Sequence, residues 1–528
     1  MEKIKVLVAQ ELCESGLEAL AARGMEVNYQ PKMTREQLLE QVGEYDALIV
    51  RSSPNVDEPV YERATKLKVV GRAGNGVDNI EMNGATRRGI MVVNTPDSNS
   101  VSACELTCGM ILSVMRNITK ANNTIKGGTW TRLPFQGTEL NGKTLGIIGL
   151  GRIGSLVATR MQSFGMKVIA YDPYITDGRF AKYNAEKKHT LEELLREADV
   201  ITVHTPKNEE TFGMVGIKQL EYMKHGVRLV NCARGGIISE EALLNGLENG
   251  RIAGAACDVM VKEPCLDSPL FKFDNFIITP HIGANTDEAQ ENVGLTVAQE
   301  VAAVLSGEMV PNAVNLPVLS QKGLAELLPY MSLAEMLGKF YHQMEKHPVE
   351  RVEITYHGIP EDLELEMLNL SVLKGLFSVI VEENVNYVNA RLIAQQRGVK
   401  VTEIRESNGN KYMTVSVAVC ANGKRFVYSG GMISNKDYRI TEINGFSFEL
   451  KPAEFMLVVE NTDTPGVIGC MGTTMGKNNI NIANMQVSRR LPDREAIMAL
   501  TIDSDMSKEN LEEIASVGGI KRVSLIRL

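Results

Sequence analysis

The chain has 528 residues, too many for one hydrophobic core, and at roughly 150 residues per domain it predicts three or four domains. Its 44% hydrophobic and 23% charged residues are typical of soluble globular proteins, which excludes wholesale disorder and a collagenous fold. With 65 acidic against 56 basic residues the net charge is -9, the wrong sign for a protein held by nucleic acid or anionic lipid.

No targeting, membrane or metal-binding segment is predicted. The apolar runs are shorter than the ~18 residues of a membrane span, and MEKIKVLVAQ has the pattern of a first strand rather than a signal peptide. Eight cysteines without a dense framework fit a reducing compartment. Cys104 and Cys108 lack the further ligands of a metal site, so we predict that they pack in the core. The protein is therefore expected to be cytoplasmic, with no metal, membrane or nucleic-acid partner.

Short apolar runs alternate with helical patterns in the first third of the chain. The runs KVLVA, MEVNYQ, DALIVRSS and LKVVGRAG are separated by helical patterns over residues 12–23, 34–43 and 56–65. This rhythm predicts a parallel sheet covered by helices. Ser102 and Glu105 have the spacing of a capping box, which predicts that a long apolar helix starts there and runs to about Ile125. Its apolar faces favour self-association.

A second series of six strands follows, in TLGII, KVIAYDP, VITVHTP, VRLVNCARGG, IAGAACDV and FIITPHIG. Six strands alternating with helices predict a doubly wound sheet. Helices after Thr286 are expected to return the chain to the first lobe, which would place the site in the cleft between two lobes. A connector at 311–317 precedes a β-rich region up to Lys451. Residues 452–528 then have the βαββαβ order of a ferredoxin-like unit.

A glycine-rich motif, GLGRIG, lies between the strand TLGII and the helix SLVATRMQSFG. Its glycines let the backbone approach a pyrophosphate, and the helix N-terminus contributes about half a positive charge. Asp172 ends the next strand, where its carboxylate can accept hydrogen bonds from a ribose diol and would repel a 2'-phosphate. NAD is therefore predicted rather than NADP. The motif residues are Gly149, Gly151, Arg152, Ile153 and Gly154.

Three polar residues recur at the ends of later strands, where open α/β sheets place their ligands. Arg234 lies in NCARGG, Glu263 in DVMVKEP and His281 in TPHIGA. A hydride that leaves a hydroxyl-bearing carbon requires a base for the hydroxyl proton, and histidine accepts a proton near neutral pH. A carboxylate can stabilise the imidazolium, and a guanidinium can bind a substrate carboxylate. These residues favour dehydrogenation of a hydroxy acid.

The order and spacing of these motifs resemble the D-2-hydroxyacid dehydrogenase family. The resemblance extends to RSS at Arg51, VVGRAGNGVDNI and VNTPDSNSVSACELT, and it covers residues 1–316 densely. Beyond them the chain is similar to long members with an intervening domain and a terminal ACT domain carrying the DTPGVIG turn. The implied α/β fold has two doubly wound parallel-sheet lobes, followed by an α+β intervening domain and a ferredoxin-like ACT domain. The implied boundaries are 1–98 with 288–316 for a discontinuous substrate lobe, 99–287 for a Rossmann NAD lobe, 317–451 for the intervening domain and 452–528 for the ACT domain.

The resemblance also implies roles for matching residues. Arg234, Glu263 and His281 would be the catalytic residues, and NAD would be the cofactor. Two residues depart from the family pattern: Asn75 replaces a small hydroxyl residue, and Met260 replaces an aromatic residue. The further implied residues are Thr205, Pro206, Ala233 and Asp258 for NAD; Asn75, Gly76 and Val77 for the substrate carboxylate; and Arg51, Arg72 and a neighbouring subunit's Arg132 for a phosphate.

The reaction implied by the resemblance is the NAD-dependent oxidation of 3-phospho-D-glycerate to 3-phosphohydroxypyruvate, the first step of phosphorylated L-serine biosynthesis. Asn461, Asp463 and Asn481 match positions where an amino acid binds ACT domains across a domain interface, which implies L-serine as an effector. A homodimer or homotetramer is expected. Two alternatives stay open: a dehydrogenase of another 2-hydroxy acid, such as 2-hydroxyglutarate or glycerate, and a nonenzymatic NAD-sensing protein similar to corepressors.

Overall fold

Four β-sheets organise the chain, as a computed structural model shows for residues 3–132, 135–317, 321–358, 364–381, 385–406, 414–434, 437–490 and 494–528. The first sheet is parallel throughout, with strand order β2-β1-β3-β4-β5. Its central strands are buried on both faces, as parallel sheets require. Its elements are β1 Lys5–Val8, α1 Glu14–Ala22, β2 Glu26–Tyr29, α2 Arg35–Gln41, β3 Ala47–Val50, α3 Glu58–Arg63, β4 Val69–Arg72, α4 Met82–Arg87 and β5 Met91–Val93.

The second sheet is also parallel, with order β12-β11-β10-β9-β6-β7-β8. It contains the six predicted strands and a two-residue edge strand, β8, that the sequence pattern did not reveal. The strand order reverses between β6 and β9, and the loops at their carboxyl ends face the site. Its elements are α5 Ser100–Arg116, α6 Ile118–Lys126, β6 Thr144–Ile148, α7 Arg152–Gln162, β7 Lys167–Tyr171, α8 Asp177–Lys182, β8 Glu186–Lys187, α9 Leu191–Glu197, β9 Val200–Val203, α10 Ile217–Leu220, β10 Val227–Asn231, α11 Glu240–Glu248, β11 Ile252–Cys257 and β12 Phe276–Ile278.

The long apolar helix differs from its prediction at both ends. It begins at Ser100 after the N-cap Asn99, so the expected capping box was wrong. The Ser102 hydroxyl lies inside the helix and donates instead to the Gly283 carbonyl, at 2.8 Å. Asn117, in the left-handed region at φ 54°, separates α5 from α6. Ser102 therefore ties this helix to the loop that carries His281.

The helix α12, Asp287–Leu305, returns the chain to the first sheet, where it packs on α1 and β4. Two glycines allow the close approach, since a Cβ on Gly16 would lie 2.8 Å from the Gly294 carbonyl oxygen. An isolated antiparallel bridge joins Val93 to Ala313 beyond this helix. The first lobe is thus built from two separate stretches of chain.

The third sheet is mixed, with order β14-β13-β15-β16-β17-β18; β13 and β14 are parallel and the other pairs antiparallel. The side-chain amide of Asn386 donates a hydrogen bond to the Gly89 carbonyl at 2.7 Å, and this contact joins the third-sheet unit to the first lobe. Its elements are α13 Gln321–Met344, β13 Arg351–His357, α14 Glu366–Ser378, α15 Ala390–Gln396, β14 Lys400–Glu406, β15 Thr414–Ala421, β16 Lys424–Ser434, β17 Asp437–Ile443 and β18 Phe446–Leu450.

The fourth sheet is antiparallel, with order β20-β21-β19-β22, and has the expected βαββαβ sequence of elements. Its two helices cover one face, and residues such as Val458 and Ile526 on the other face join the core around α13. Arg522 pairs with Glu345 at the end of α13, at 2.7 Å. The predicted fold class is confirmed. The elements are β19 Phe455–Thr462, α16 Val467–Lys477, β20 Ile482–Arg490, β21 Glu495–Ile502, α17 Lys508–Ala515 and β22 Ile520–Arg527.

Candidate active site

The glycine motif forms the turn from β6 into α7. Gly149 has φ 92°, and a Cβ there would lie 2.8 Å from the His204 carbonyl oxygen. A Cβ on Gly154 would lie 2.1 Å from the Gly149 carbonyl oxygen, so the helix can approach the strand only with glycine here. Gly151, the N-cap of α7, has open space where its Cβ would be. The turn therefore leaves room beside the helix N-terminus for a pyrophosphate.

The residues beside this turn also fit a dinucleotide. Asp172, after β7, accepts hydrogen bonds from the backbone amides of Leu150 at 3.0 Å and Tyr174 at 3.1 Å. Its carboxylate is thus fixed next to the glycine turn, where a ribose diol can donate to it. The Thr205 hydroxyl oxygen is buried without a partner among the described residues, and Pro206 is exposed. An unpaired buried hydroxyl at the cofactor side is consistent with a polar ligand.

Arg152 is the first residue of α7 and is exposed, whereas Ile153 is half-buried. The Arg152 guanidinium pairs with Asp97 at 2.5 Å. Asp97 lies in the segment between the two lobes, so this pair joins that segment to the glycine turn. The sequence interpretation did not include Asp97, although an acid in VNTPDSNS was visible there.

His281 and Glu263 form a hydrogen-bonded pair, 2.7 Å from Nδ1 to Oε2. Burial alone would raise the pKa of the Glu263 carboxyl, but hydrogen bonds from His281 and the Met260 amide hold that pKa below its ordinary value. The nearby charge of Arg234 lowers it further. The ionised carboxylate can only accept, so Nδ1 of His281 donates and Nε2 is left as the basic nitrogen of the neutral ring.

Asp258 anchors the backbone of the His281 loop. Its buried carboxylate accepts from the amides of Ile282 and Gly283, both at 2.8 Å, and from the Thr279 hydroxyl at 2.5 Å. The His281 amide also donates to the Asp258 carbonyl, and His281 itself lies in the left-handed region at φ 55°. These contacts take three of the roughly four acceptor positions of the Asp258 carboxylate, and its predicted contact with the cofactor stays a prediction.

Arg234 follows β10, and its side chain reaches Asp78 of the first lobe. Its Nε donates to Asp78 at 3.2 Å and its Nη1 to the Ala233 carbonyl at 2.7 Å. Asn231, which is buried, fixes this turn by accepting from the Ala233 amide and donating to the Arg234 carbonyl. Sequence reasoning missed two of these residues, Asn231 and Asp78. Asn231 could have been found, because it is a polar residue at the end of an apolar strand.

Arg72 of the first lobe lies within electrostatic reach of two other arginines, Arg51 of the same lobe and Arg234 of the second lobe. Burial lowers the pKa of Arg72 to about 10, and the positive charges of Arg234 and Arg51 contribute to that shift. The Nε of Arg72 is buried without a partner among the described residues. Arg51 lines a cavity of ≈ 190 Å³ together with Cys13. Like charges gathered in this way favour a multiply charged anion.

The loop 75–77 lies beside this cluster. Asn75 is exposed, and its backbone carbonyl accepts a hydrogen bond from the side-chain amide of Asn94 at 2.7 Å. Gly76 and Val77 are half-buried. A Cβ on Gly76 would lie 2.0 Å from Nη2 of Arg234. The loop and the guanidinium thus meet, and the binding of a substrate carboxylate by residues 75–77 stays a prediction. Met260, the other departure, is buried and donates its amide to Glu263.

Arg132 does not join this cluster within one chain. It is exposed after α6, and no hydrogen bond or ion pair links its side chain to another described residue.

The three predicted effector residues lie at two ends of the fourth sheet. Asn461 is buried, with its Oδ1 unpaired among the described residues, and Asp463 faces Arg489 at 3.6 Å. Asn481 precedes β20 and donates to Asp503 at 2.6 Å. The register pairs Asn461 with Ala496 and Ile482 with Ile502, so the two ends are about 20 Å apart at ~3.3 Å per residue. One chain therefore does not bring the three residues together.

Disulfides, metal sites and membrane-spanning helices are absent from the described ranges. All eight cysteines are free thiols. No cluster of three or more histidine, cysteine or acidic side chains is arranged there for a metal ion. None of the helices in these ranges combines the length and apolar character that a membrane crossing requires.

Known proteins are similar to this chain in sequence and in fold. Residues 108–283 match the family described as D-isomer specific 2-hydroxyacid dehydrogenase, NAD binding domain, and residues 326–444 match the D-3-phosphoglycerate dehydrogenase intervening domain. Among solved structures, 59% of the chain superposes on all of a protein from Thermus thermophilus, at 34% identity and TM-score 0.55. The same share superposes on 99% of an Aquifex aeolicus D-lactate dehydrogenase complexed with NAD and lactic acid, at 26% identity and TM-score 0.53.

Curated relatives match the whole chain. A D-3-phosphoglycerate dehydrogenase of Methanocaldococcus jannaschii is 42% identical over 99% of this chain and 100% of its own length. The Bacillus subtilis protein of the same name is 41% identical over 99% of each chain. Both similarities include the lobes, the mixed-sheet unit and the C-terminal sheet. The chain therefore belongs to the D-3-phosphoglycerate dehydrogenase family.

Proposed function

We propose that the chain oxidises the C2 hydroxyl of 3-phospho-D-glycerate to 3-phosphohydroxypyruvate with NAD, the first step of phosphorylated L-serine biosynthesis. The observation that carries this proposal is the His281–Glu263 pair at 2.7 Å, within the electrostatic reach of Arg234. A base, its supporting carboxylate and a carboxylate-binding cation are the groups that this oxidation requires. The complete set argues against a nonenzymatic NAD-sensing protein.

Each protein group has a defined role in this reaction. NAD supplies the hydride acceptor when it is bound, held by the turn of residues 149–154 and by Asp172. His281 takes the hydroxyl proton on Nε2, because Nδ1 donates to Glu263. Glu263, ionised at neutral pH, stabilises the imidazolium that forms. Arg234 binds the substrate carboxylate and polarises the carbonyl of the product.

The arginines of the first lobe support a phosphorylated substrate. Arg51 and Arg72 would bind the phosphate, since a dianion requires more than one cation in a partly buried site. A neighbouring subunit's Arg132 would add a further charge. Lactate and glycerate lack the phosphate, so they would leave this cationic cluster unpaired.

The test is an NADH-linked rate with 3-phosphohydroxypyruvate, compared with hydroxypyruvate and 2-oxoglutarate under the same conditions. We expect the phosphorylated substrate to have a kcat/KM higher by at least about 100-fold, because two charge-assisted contacts are lost without the phosphate. A preference for 2-oxoglutarate or hydroxypyruvate would replace this function with a sister dehydrogenase activity. Tight NADH binding without turnover on any of the three would favour the sensing protein.

We also infer that residues 452–528 form an ACT domain that binds L-serine. The buried, unpaired Oδ1 of Asn461 and the carboxylate of Asp463 offer acceptors for an ammonium group. Because Asn481 lies at the other end of the sheet, a site with all three residues would require two copies of the chain.

Isothermal titration of the full-length protein with L-serine is expected to release heat, and the Asn461→Ala substitution is expected to abolish that heat. D-serine is the control, and equal heats for both enantiomers, or none, would contradict the inference.

We also propose a domain organisation, an oligomeric state and a location for this chain. The first-lobe boundaries 1–98 with 288–316 are supported by the packing of α12 on α1 and β4, and the boundaries 99–287, 317–451 and 452–528 by a separate sheet in each range. A homodimer or homotetramer is supported by exposed apolar side chains around α6, including Ile118 and Trp130. Free thiols support a cytoplasmic location.

A further inference from the structure

A carboxylate lies among the guanidinium groups of the substrate cleft. The negative charge of Asp78 acts on Arg72 against the positive charges of Arg51 and Arg234. An acid in this place weakens the binding of an anionic substrate, because like charges repel. Asp78 must therefore contribute something other than substrate affinity.

The contacts of Arg234 show what Asp78 does. Nε of Arg234 donates to Asp78 Oδ2 at 3.2 Å, and Nη1 donates to the Ala233 carbonyl at 2.7 Å. The remaining nitrogen, Nη2, lies against Gly76, where a Cβ would be 2.0 Å from it and 2.6 Å from Asp78 Oδ2. Two nitrogens are thus occupied by protein acceptors, and the third is directed at the loop that faces the cleft.

This ion pair crosses from one lobe to the other. Asp78 lies between β4 and α4 of the first sheet, and Arg234, 156 residues away in the chain, follows β10 of the second sheet. An arginine side chain has several rotatable bonds, so a fixed contact removes conformational freedom that binding would otherwise have to remove. The Asp78 side chain is 60% exposed, and exposed pairs contribute little to stability. The fold should therefore tolerate its replacement.

We propose that Asp78 is a positioning residue, which holds the Arg234 guanidinium from the opposite lobe so that Nη2 and the backbone of residues 75–77 face one substrate carboxylate. The inference rests on the proposed function and concerns its carboxylate site. Asp78 touches neither the reacting carbon nor the cofactor. Asp78 acts through Arg234, and its negative charge also repels the anionic substrate to some extent.

The experiment compares full-length Asp78→Ala and Asp78→Asn with the wild type in the NADH-linked reduction of 3-phosphohydroxypyruvate. We expect kcat/KM to fall by about tenfold or more in Asp78→Ala, mainly through kcat, because a charge-assisted hydrogen bond to Arg234 is lost. Asp78→Asn should retain more activity, since its amide oxygen can still accept from Nε. The dissociation constant for NADH and the thermal midpoint should stay at the wild-type values.

Asp57→Asn is the matched control, because Asp57 pairs with Arg35 at 2.7 Å in the same lobe but outside the cleft. It should have wild-type kinetics. A lower KM with unchanged kcat in both Asp78 variants would overturn the proposal, because it would make Asp78 only a repulsive charge. Wild-type turnover tests the proposed function separately. If the wild type prefers another 2-oxo acid, the same variants are compared on that substrate, which has the same carboxylate.

Discussion

Replacing His281 by alanine is expected to lower kcat by about 100-fold or more, the usual contribution of a general base. Nδ1 of His281 donates to Glu263, so Nε2 is the nitrogen that takes the proton, and alanine supplies none. The side chain is 48% exposed and bonds only through Nδ1 among the described residues, so its removal should cost little stability. Steady-state rates of phosphoglycerate oxidation across the pH range measure the effect.

His189→Ala is the control for this prediction, because His189 is exposed in the same lobe and its side chain makes no hydrogen bond among the described residues. Its kcat should equal that of the wild type. Glu263→Gln should give an intermediate loss, since the ring keeps a hydrogen-bond partner but the imidazolium loses its charge partner. If His281→Ala retained a wild-type kcat, another group would have to be the base.

Local patterns were sufficient to predict much of the fold. The turn at residues 149–154 could be predicted because a strand, a fixed glycine spacing and a helix follow one another without a break. Arg234 could be placed at a strand end by the same reasoning, since apolar runs and the polar residues after them are contiguous in the sequence. The two-residue strand β8 had no such signal, because Glu186 and Lys187 have no apolar pattern.

Contacts between distant segments could not be predicted in this way. Ser102 has the residue type and spacing of a cap, but its hydroxyl bonds Gly283, 181 residues away, and the helix starts two residues earlier. The pairing of Asp78 with Arg234 depends on how two lobes meet, which no local period encodes. Likewise, the positions of Asn461 and Asn481 depend on strand register. Residue type indicated candidates, and only tertiary packing determined their partners.

Gly235→Ala is expected to reduce kcat/KM by about 100-fold or more, although Gly235 carries no functional group. A Cβ there would lie 1.9 Å from the Met260 carbonyl oxygen and 2.6 Å from the Val261 amide nitrogen, and both are backbone atoms. The two chain segments must therefore separate. One of them carries Arg234 and the other carries Glu263, and a displacement of about 1 Å between reacting groups can cost 100-fold in rate.

The same substitution should also lower stability, by about 1 to 3 kcal/mol, as overpacking of a buried site does. Gly178→Ala is the matched control, since Gly178 lies in α8 of the same lobe and the nearest atom is 4.0 Å from its Cβ position. It should stabilise the protein slightly, through a better helix propensity, and leave the rates unchanged. Urea unfolding and steady-state kinetics of both variants separate the two effects. A Gly235→Ala enzyme with wild-type kcat would mean that Arg234 and Glu263 need not be held at this spacing, and their joint action on one substrate would then have no structural basis.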